Sequence, residues 1–315
     1  MTTTLQDTFF QFHPGQDHGS LPVGGAREIA FRLTGAMEPD VLVICFHGAT
    51  DRKKIALPRF QAALDAGPLA AYLSICDPTL DAHEALRLGW YSGADNFPLR
   101  SILKEVLHNT IAKLRPRRIL FFGGSGGGYA ALLYARSVAG SVSLTINPQT
   151  DILSYYSGHV GDYFETCWPN IPEVERRSRT VVSDLAEEYQ DNPGKVTTVM
   201  LSSAGDRQHF VNHVSRFVGR VGSSTRSRLI LASDFFGRMG HGGSIPPDVI
   251  QRWYNAVLTA ETTEPESILM AYHRLAAVRA LPTEGRVRSG AGPDAAEIGM
   301  ADLLRDYHLR QPMEV

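Results

Sequence analysis

The chain has 315 residues, of which 43% are hydrophobic and 20% charged, and a formal net charge of -2. This is enough apolar material for a sizeable buried core, in one large domain with insertions or two unequal ones. The near-neutral balance gives no electrostatic reason for a nucleic acid or an anionic membrane as partner, and no apolar run approaches the roughly 20 residues of a membrane helix.

Met1 to Asp7 lacks a basic start followed by an apolar stretch, so no secretory signal is visible and the cytoplasm is the expected compartment. Residues 1–24, with Phe9, Phe10 and Phe12, show no period and read as an irregular arm. Arg27 to Leu33 alternates as an early strand. Val41 to Phe46 is a solid apolar run, the mark of a strand covered on both faces, and it ends in His47-Gly48-Ala49-Thr50. Pro58 to Ala66 can start a helix, and Ala71 to Cys76 reads as a third strand. Leu99 to Leu114 carries apolar residues at helical spacing and leads into Ile119-Leu120-Phe121-Phe122, a buried strand. An Ala/Leu-rich helix follows at once.

Val142 to Ile146 is the next strand, closed by Asn147-Pro148. Residues 151–195 break the rhythm with Tyr155, Tyr156, Tyr163, Phe164 and Trp168, and read as an inserted cap with a helix near Val181 to Tyr189. Val196 to Leu201 resumes the sheet, a helix runs from about His209 to Val221, and Arg228 to Ala232 is the last strand. Pro246 to Leu258 is the helix after it. The expected fold class is therefore α/β, a mostly parallel central sheet with helices on both faces, over residues 25–260. Residues 261–315 read as a helical C-terminal extension: a helix near Ser267 to Ala280, a Gly/Pro/Arg-rich link at 284–294, and a short amphipathic helix ending near Tyr307. Cys45, Cys76 and Cys167 have no metal-like spacing, and the first two read as packed thiols in apolar strands.

Between the strand ending at Phe122 and the helix after it lies Gly123-Gly124-Ser125-Gly126-Gly127-Gly128, a Gly-x-Ser-x-Gly turn. A bend this tight strains its central residue and leaves no room for neighbouring side chains, which lifts the Ser125 hydroxyl above the sheet. A serine needs a histidine to take its proton and a carboxylate to orient that histidine. The base candidate is His241, in the Gly-flanked loop beyond the last strand. The acid candidate is Asp206, at a Gly-Asp turn after the preceding strand, with Asp151 and Asp234 as rivals. The backbone N–H groups of Gly126 and Ala49, with Thr50 as a further candidate, would stabilise an oxyanion. His47 reads as a brace for that loop. His209 and His213, four apart, read as surface or packing residues, since no third ligand of clear spacing accompanies them. Trp90 and Tyr91 serve equally as walls of a substrate pocket or as core. No metal or cofactor is expected.

The order Val41–His47-Gly48, Gly123-x-Ser125-x-Gly127, Asp206 and His241 resembles the α/β-hydrolase superfamily over about residues 27–260. Its glycine-rich elbow looks like those of prolyl-oligopeptidase-type peptidases and carbohydrate esterases, and of hydrolase-like proteins associated with surface-polysaccharide pathways. The resemblance implies a serine hydrolase acting on an ester, or on an amide or thioester, of a small or carbohydrate-like substrate. An acyltransferase would use the same residues with an acceptor other than water. A third reading is a Rossmann-like nucleotide-binding protein: Gly126-Gly127-Gly128-Tyr129-Ala130-Ala131 satisfies G-x-G-x-x-A, and Asp151 follows at a suitable distance. In that fold, however, the glycines follow the first strand, whereas here at least three strands precede them.

Overall fold

Side chains along a strand alternate between its two faces, so a run with no polar residue must be covered on both. The computed structural model, which describes residues 18–23, 27–176, 181–192 and 194–280, shows this for Val41–Phe46. Leu42, Ile44 and Phe46 enter one hydrophobic cluster, and Val43 and Cys45 enter another. The strand before Ser125 divides the same way, with Phe121 on the first side and Leu120 and Phe122 on the second.

Eight strands form the sheet: β1 (Gly19–Pro22), β2 (Glu28–Gly35), β3 (Val41–Phe46), β4 (Ala70–Ile75), β5 (Arg118–Gly124), β6 (Val142–Ile146), β7 (Thr197–Ser203) and β8 (Leu229–Asp234). Their order is β1-β2-β4-β3-β5-β6-β7-β8. β2 runs antiparallel to both β1 and β4, and every pairing from β4 to β8 is parallel. Helices α1 (Leu99–Leu114), α2 (Gly126–Ala135) and α3 (Ser157–Cys167) pack on the first cluster, and α4 (Pro247–Thr259) and α5 (Pro265–Ala280) on the second. Phe46 is clamped between Phe121 and Tyr134, with ring centroids 6.4 and 5.7 Å away, which ties β3 to β5 and α2. Burying one such side chain is worth about 1.5–3 kcal/mol. β5 lies mid-sheet, and its carboxyl end is where a parallel sheet gathers its ligands.

Two expectations differ from the structure. Gly19–Pro22, read as part of an irregular arm, is a strand registered on β2; the rest of that arm up to residue 17 lies outside the described residues. Residues 58–66 do not form a helix. Their backbone groups are taken by side chains of neighbouring elements instead: Ser74 Oγ donates to the Gln61 carbonyl, Tyr72 Oη accepts the Ala66 N–H, and Tyr254 Oη donates to the Leu64 carbonyl. The link at 284–294 and the helix near Tyr307 lie outside the described residues. Among the described residues, no helix is long and apolar enough to cross a membrane.

Candidate active site

Ser125 stands between β5 and α2 with φ 52° and ψ -122°, a strained conformation for a residue with a side chain. The flanking glycines permit it. A Cβ on Gly123 would lie 2.3 Å from the Gly127 carbonyl oxygen, and one on Gly127 would lie 2.2 Å from the Phe46 carbonyl oxygen. α2 and β3 can close on the turn only because neither position carries a side chain.

The candidate acid, Asp206, lies where the strand order predicts it. Asp206 follows β7, is 3% exposed, and faces an imidazole with each carboxylate oxygen. Oδ1 is 3.0 Å from His209 Nδ1, and Oδ2 is 2.6 Å from His241 Nδ1. The two rings stack, centroids 4.0 Å apart and planes 12° apart. His209 Nε2 in turn lies 3.4 Å from Ser125 Oγ. The sequence reading brings His241 to the serine; in the structure it meets the far side of Asp206, and the ring at Ser125 is His209. The cause is local. Asp206 caps a helical turn by accepting the His209 N–H, so a residue three positions on is folded back over its own cap. His241 arrives from a Gly-rich loop and stays one-third exposed.

No family model and no curated protein matches the sequence. Solved structures do resemble it. The capsule O-acetyltransferase of Neisseria meningitidis serogroup A superposes with TM-score 0.57 at 12% identity, over 81% of this chain and 99% of that one. Its alanine mutant in complex with CoA gives 0.59 at 13%, over 81% and 100%. An acylaminoacyl peptidase from Pyrococcus horikoshii gives 0.52 at 13%, over 80% of this chain and 44% of that one. The fold is α/β-hydrolase-like.

In this α/β-hydrolase-like frame the other two candidate acids have local partners. Asp151 accepts the Leu153 N–H and the Ser154 hydroxyl at the start of a 3-10 turn, and Asp234 is exposed and accepts the Phe235 N–H. Burial by itself would raise the Asp206 carboxyl, but its hydrogen bonds to His209 and His241 prevail and hold it below the ordinary carboxylate range. His209 is lowered to about 4, first by burial and then by the charge of His241, with Asp206 opposing. It is therefore neutral at physiological pH. Its Nδ1, facing the carboxylate, carries the hydrogen, which leaves Nε2 as an acceptor toward Ser125.

His47 braces its loop as the sequence reading expects. Its Nε2 accepts the Asp77 N–H at 3.0 Å, so the other ring nitrogen carries the hydrogen and donates to the Gly48 carbonyl at 2.7 Å. Burial lowers this ring to about 3, with Arg59 adding to the effect. In a planar trans peptide the C=O and N–H point opposite ways, so fixing the Gly48 carbonyl also fixes the direction of the Ala49 N–H. Thr50 differs from its expected role, because its N–H is donated to the Arg87 carbonyl at 2.8 Å.

Neither His209 nor His213 is a surface residue: both are fully buried, and His213 Nδ1 accepts the Thr150 N–H. The Asp-x-x-His spacing of Asp206 and His209 is the sequence signal that would have paired them. One ligand atom each from Asp206, His209 and His241 lies within 4.8 Å of the others, a donor set that would also fit a metal ion. Trp90 and Tyr91 are core residues, fully buried. Gln149, absent from the sequence reading, is buried too, and its Nε2 lies 3.0 Å from Ser125 Oγ. Tyr155 sets its ring 5.8 Å from His209, and Tyr156 stands half-exposed beside it.

Proposed function

We propose that the protein is a serine acyl-transfer enzyme that opens an ester of a small or medium-sized polar, carbohydrate-like substrate through an acyl-enzyme on Ser125. The observation that carries this reading is the unbroken chain Ser125 Oγ, His209 Nε2, His209 Nδ1, Asp206 Oδ1, starting at a strained elbow. Ser125 attacks the ester carbonyl as its proton passes to His209. Asp206 keeps the ring in the tautomer that can receive it and stabilises the imidazolium that forms. The N–H of Gly126, an unpaired first-turn donor of α2, and that of Ala49 hold the oxyanion. Collapse expels the alcohol, protonated by His209, and water then releases the acid.

A second reading replaces water with a hydroxyl acceptor. What favours it is the likeness over nearly the full length of a capsule O-acetyltransferase that has been seen with CoA. On either reading Tyr155 and Tyr156 form one wall of the acyl or acceptor site, consistent with selection by the 151–195 segment. The test is labelling with a fluorophosphonate probe and mapping of the modified residue. Modification of Ser125, lost in Ser125→Ala, is the expected result; no labelling of Ser125 would remove the proposal. Offering acetyl-CoA with and without an oligosaccharide separates the two readings, since only a transferase forms the O-acetylated sugar.

A further inference from the structure

Gln149 is held against the nucleophile at two points. Its backbone N–H donates to the Ser125 carbonyl at 3.1 Å, and its side-chain Nε2 donates to Ser125 Oγ at 3.0 Å. The other end of the amide, Oε1, accepts the indole N–H of Trp90 at 2.5 Å. An amide could present either end to a serine, but an indole only donates. Oε1 must therefore face Trp90, and Nε2 must face Ser125. A hydroxyl that accepts from Gln149 sends its own hydrogen elsewhere, and the acceptor within reach is His209 Nε2 at 3.4 Å. Donation thus runs one way, from Trp90 through Gln149, Ser125 and His209 to Asp206.

Trp90 holds its position at a conformational cost. Trp90 and Tyr91 are consecutive non-glycine residues with φ 52° and 54°, a region that disfavours L side chains. The surroundings impose it: the Tyr91 N–H is donated to Asp77 Oδ2, the Tyr91 hydroxyl donates to the Ile75 carbonyl, and it accepts the His47 N–H. The Trp90 ring is wedged edge-on against Tyr155 and Tyr163. Backbone strain overruled in this way, outside the elbow itself, marks a side chain that must be aimed.

We propose that Trp90 and Gln149 form a donor relay onto Ser125 Oγ, in which Gln149 is a catalytic residue that keeps the hydroxyl proton directed at His209 and Trp90 is a positioning residue that fixes the Gln149 amide. This rests on the serine acyl-transfer reading. As the Oγ–carbon bond forms, the Oγ–H bond breaks and its proton goes to His209 Nε2; the relay ensures that the proton already points there.

The second-order rate of fluorophosphonate labelling reads the reactivity of Ser125 without knowledge of the natural substrate. Gln149→Met removes the donor while keeping much of the shape, and is expected to slow labelling about tenfold. In Gln149→Glu at pH 8 a carboxylate would accept the serine proton and pull it away from His209, slowing labelling by about 100-fold. That loss is expected to shrink as pH falls toward 5, because a buried carboxyl protonates readily and then presents an O–H donor in place of the amide. A merely structural defect would not recover on acidification. Trp90→Phe is expected to slow labelling less than Gln149→Met, and the double variant is expected to be no slower than Gln149→Met alone. If Gln149→Glu melts below the assay temperature, Gln149→Met decides. Rates for Gln149→Met within twofold of wild type, or a pH-independent deficit in Gln149→Glu, would overturn the relay and leave the acyl-transfer reading standing. Wild-type protein that is not labelled at Ser125 would overturn both.

Discussion

Replacing His209 with alanine is expected to abolish most of the reactivity of Ser125, whereas replacing His241 is not. His209 Nε2 is 3.4 Å from Ser125 Oγ, and His241 bonds the oxygen of Asp206 that faces away from this pair. A positioned general base contributes about 10²–10⁴-fold, so His209→Ala is expected to cut turnover of an activated ester by about 10³-fold, or about 4 kcal/mol of transition-state stabilisation. His241→Ala leaves the Ser125–His209–Asp206 chain in place and is expected to cost less than tenfold at pH 8. It has a second signature. The rate depends on neutral His209, so it falls as pH drops through the value of that ring, about 4 in the intact site. The charge of His241 is one cause of that lowering, after burial, so its removal moves the acid limb to higher pH. The assay is the initial rate of p-nitrophenyl acetate hydrolysis from pH 4 to 9 for wild type and both variants, with melting curves as folding controls. A folded His209→Ala protein that keeps its activity while His241→Ala loses it would refute this assignment and make His241 the base.

Further outcomes follow from the same geometry. Asp206→Asn is expected to lower turnover by at least ~10³-fold, because the amide no longer fixes the His209 tautomer, while Asp151→Asn leaves turnover within a few-fold; the reverse ranking in the same assay would reassign the acid. Gly127→Ala puts a methyl 2.2 Å from the Phe46 carbonyl oxygen and is expected to lower the melting temperature and abolish fluorophosphonate labelling together. Incubation with EDTA is expected to leave labelling unchanged, and its loss with recovery on adding zinc would make Asp206, His209 and His241 a working metal site. Acid is expected to destabilise the fold as pH falls below the ordinary histidine range. Burial lowers His47, His209 and His213 to about 3, 4 and 3, so the unfolded chain binds protons below about 6.5 that the folded one refuses. Stability is complete above that pH and is lost as pH falls toward 4. Asp77, raised to about 6 by burial against its hydrogen bonds, and Asp81, raised by burial, act in the opposite sense, two carboxylates against three histidines. The net slope stays positive, on the order of 1–3 kcal/mol per pH unit, and a urea midpoint at pH 5 equal to that at pH 7 would contradict it.

The strained turn, the sheet and the place of Asp206 at its carboxyl end were all legible in the residues. Gly123-x-Ser125-x-Gly127 states a local steric demand that no distant contact can change, and an apolar run such as Val41–Phe46 has to be buried on both faces wherever it lies. Asp206 could be read because strand order fixes which loops share the carboxyl end of the sheet. Which histidine meets Ser125 is a matter of angles: a one-turn cap at Asp206 returns His209 to its own carboxylate, and no spacing rule for the distant His241 competes with that. Residues 58–66 lack a helix because hydroxyls from β4 and α4 take their backbone groups, partners that exist only once the sheet is assembled. Gln149 and Trp90 carry no motif, and their role depends on a hydrogen-bond direction that passes between residues 59 positions apart. Composition and local sterics determined the frame and the strained turn that presents Ser125. Which side chains meet Ser125 was decided by tertiary contacts, because a hydrogen bond depends on tenths of an ångström that only the packed chain sets.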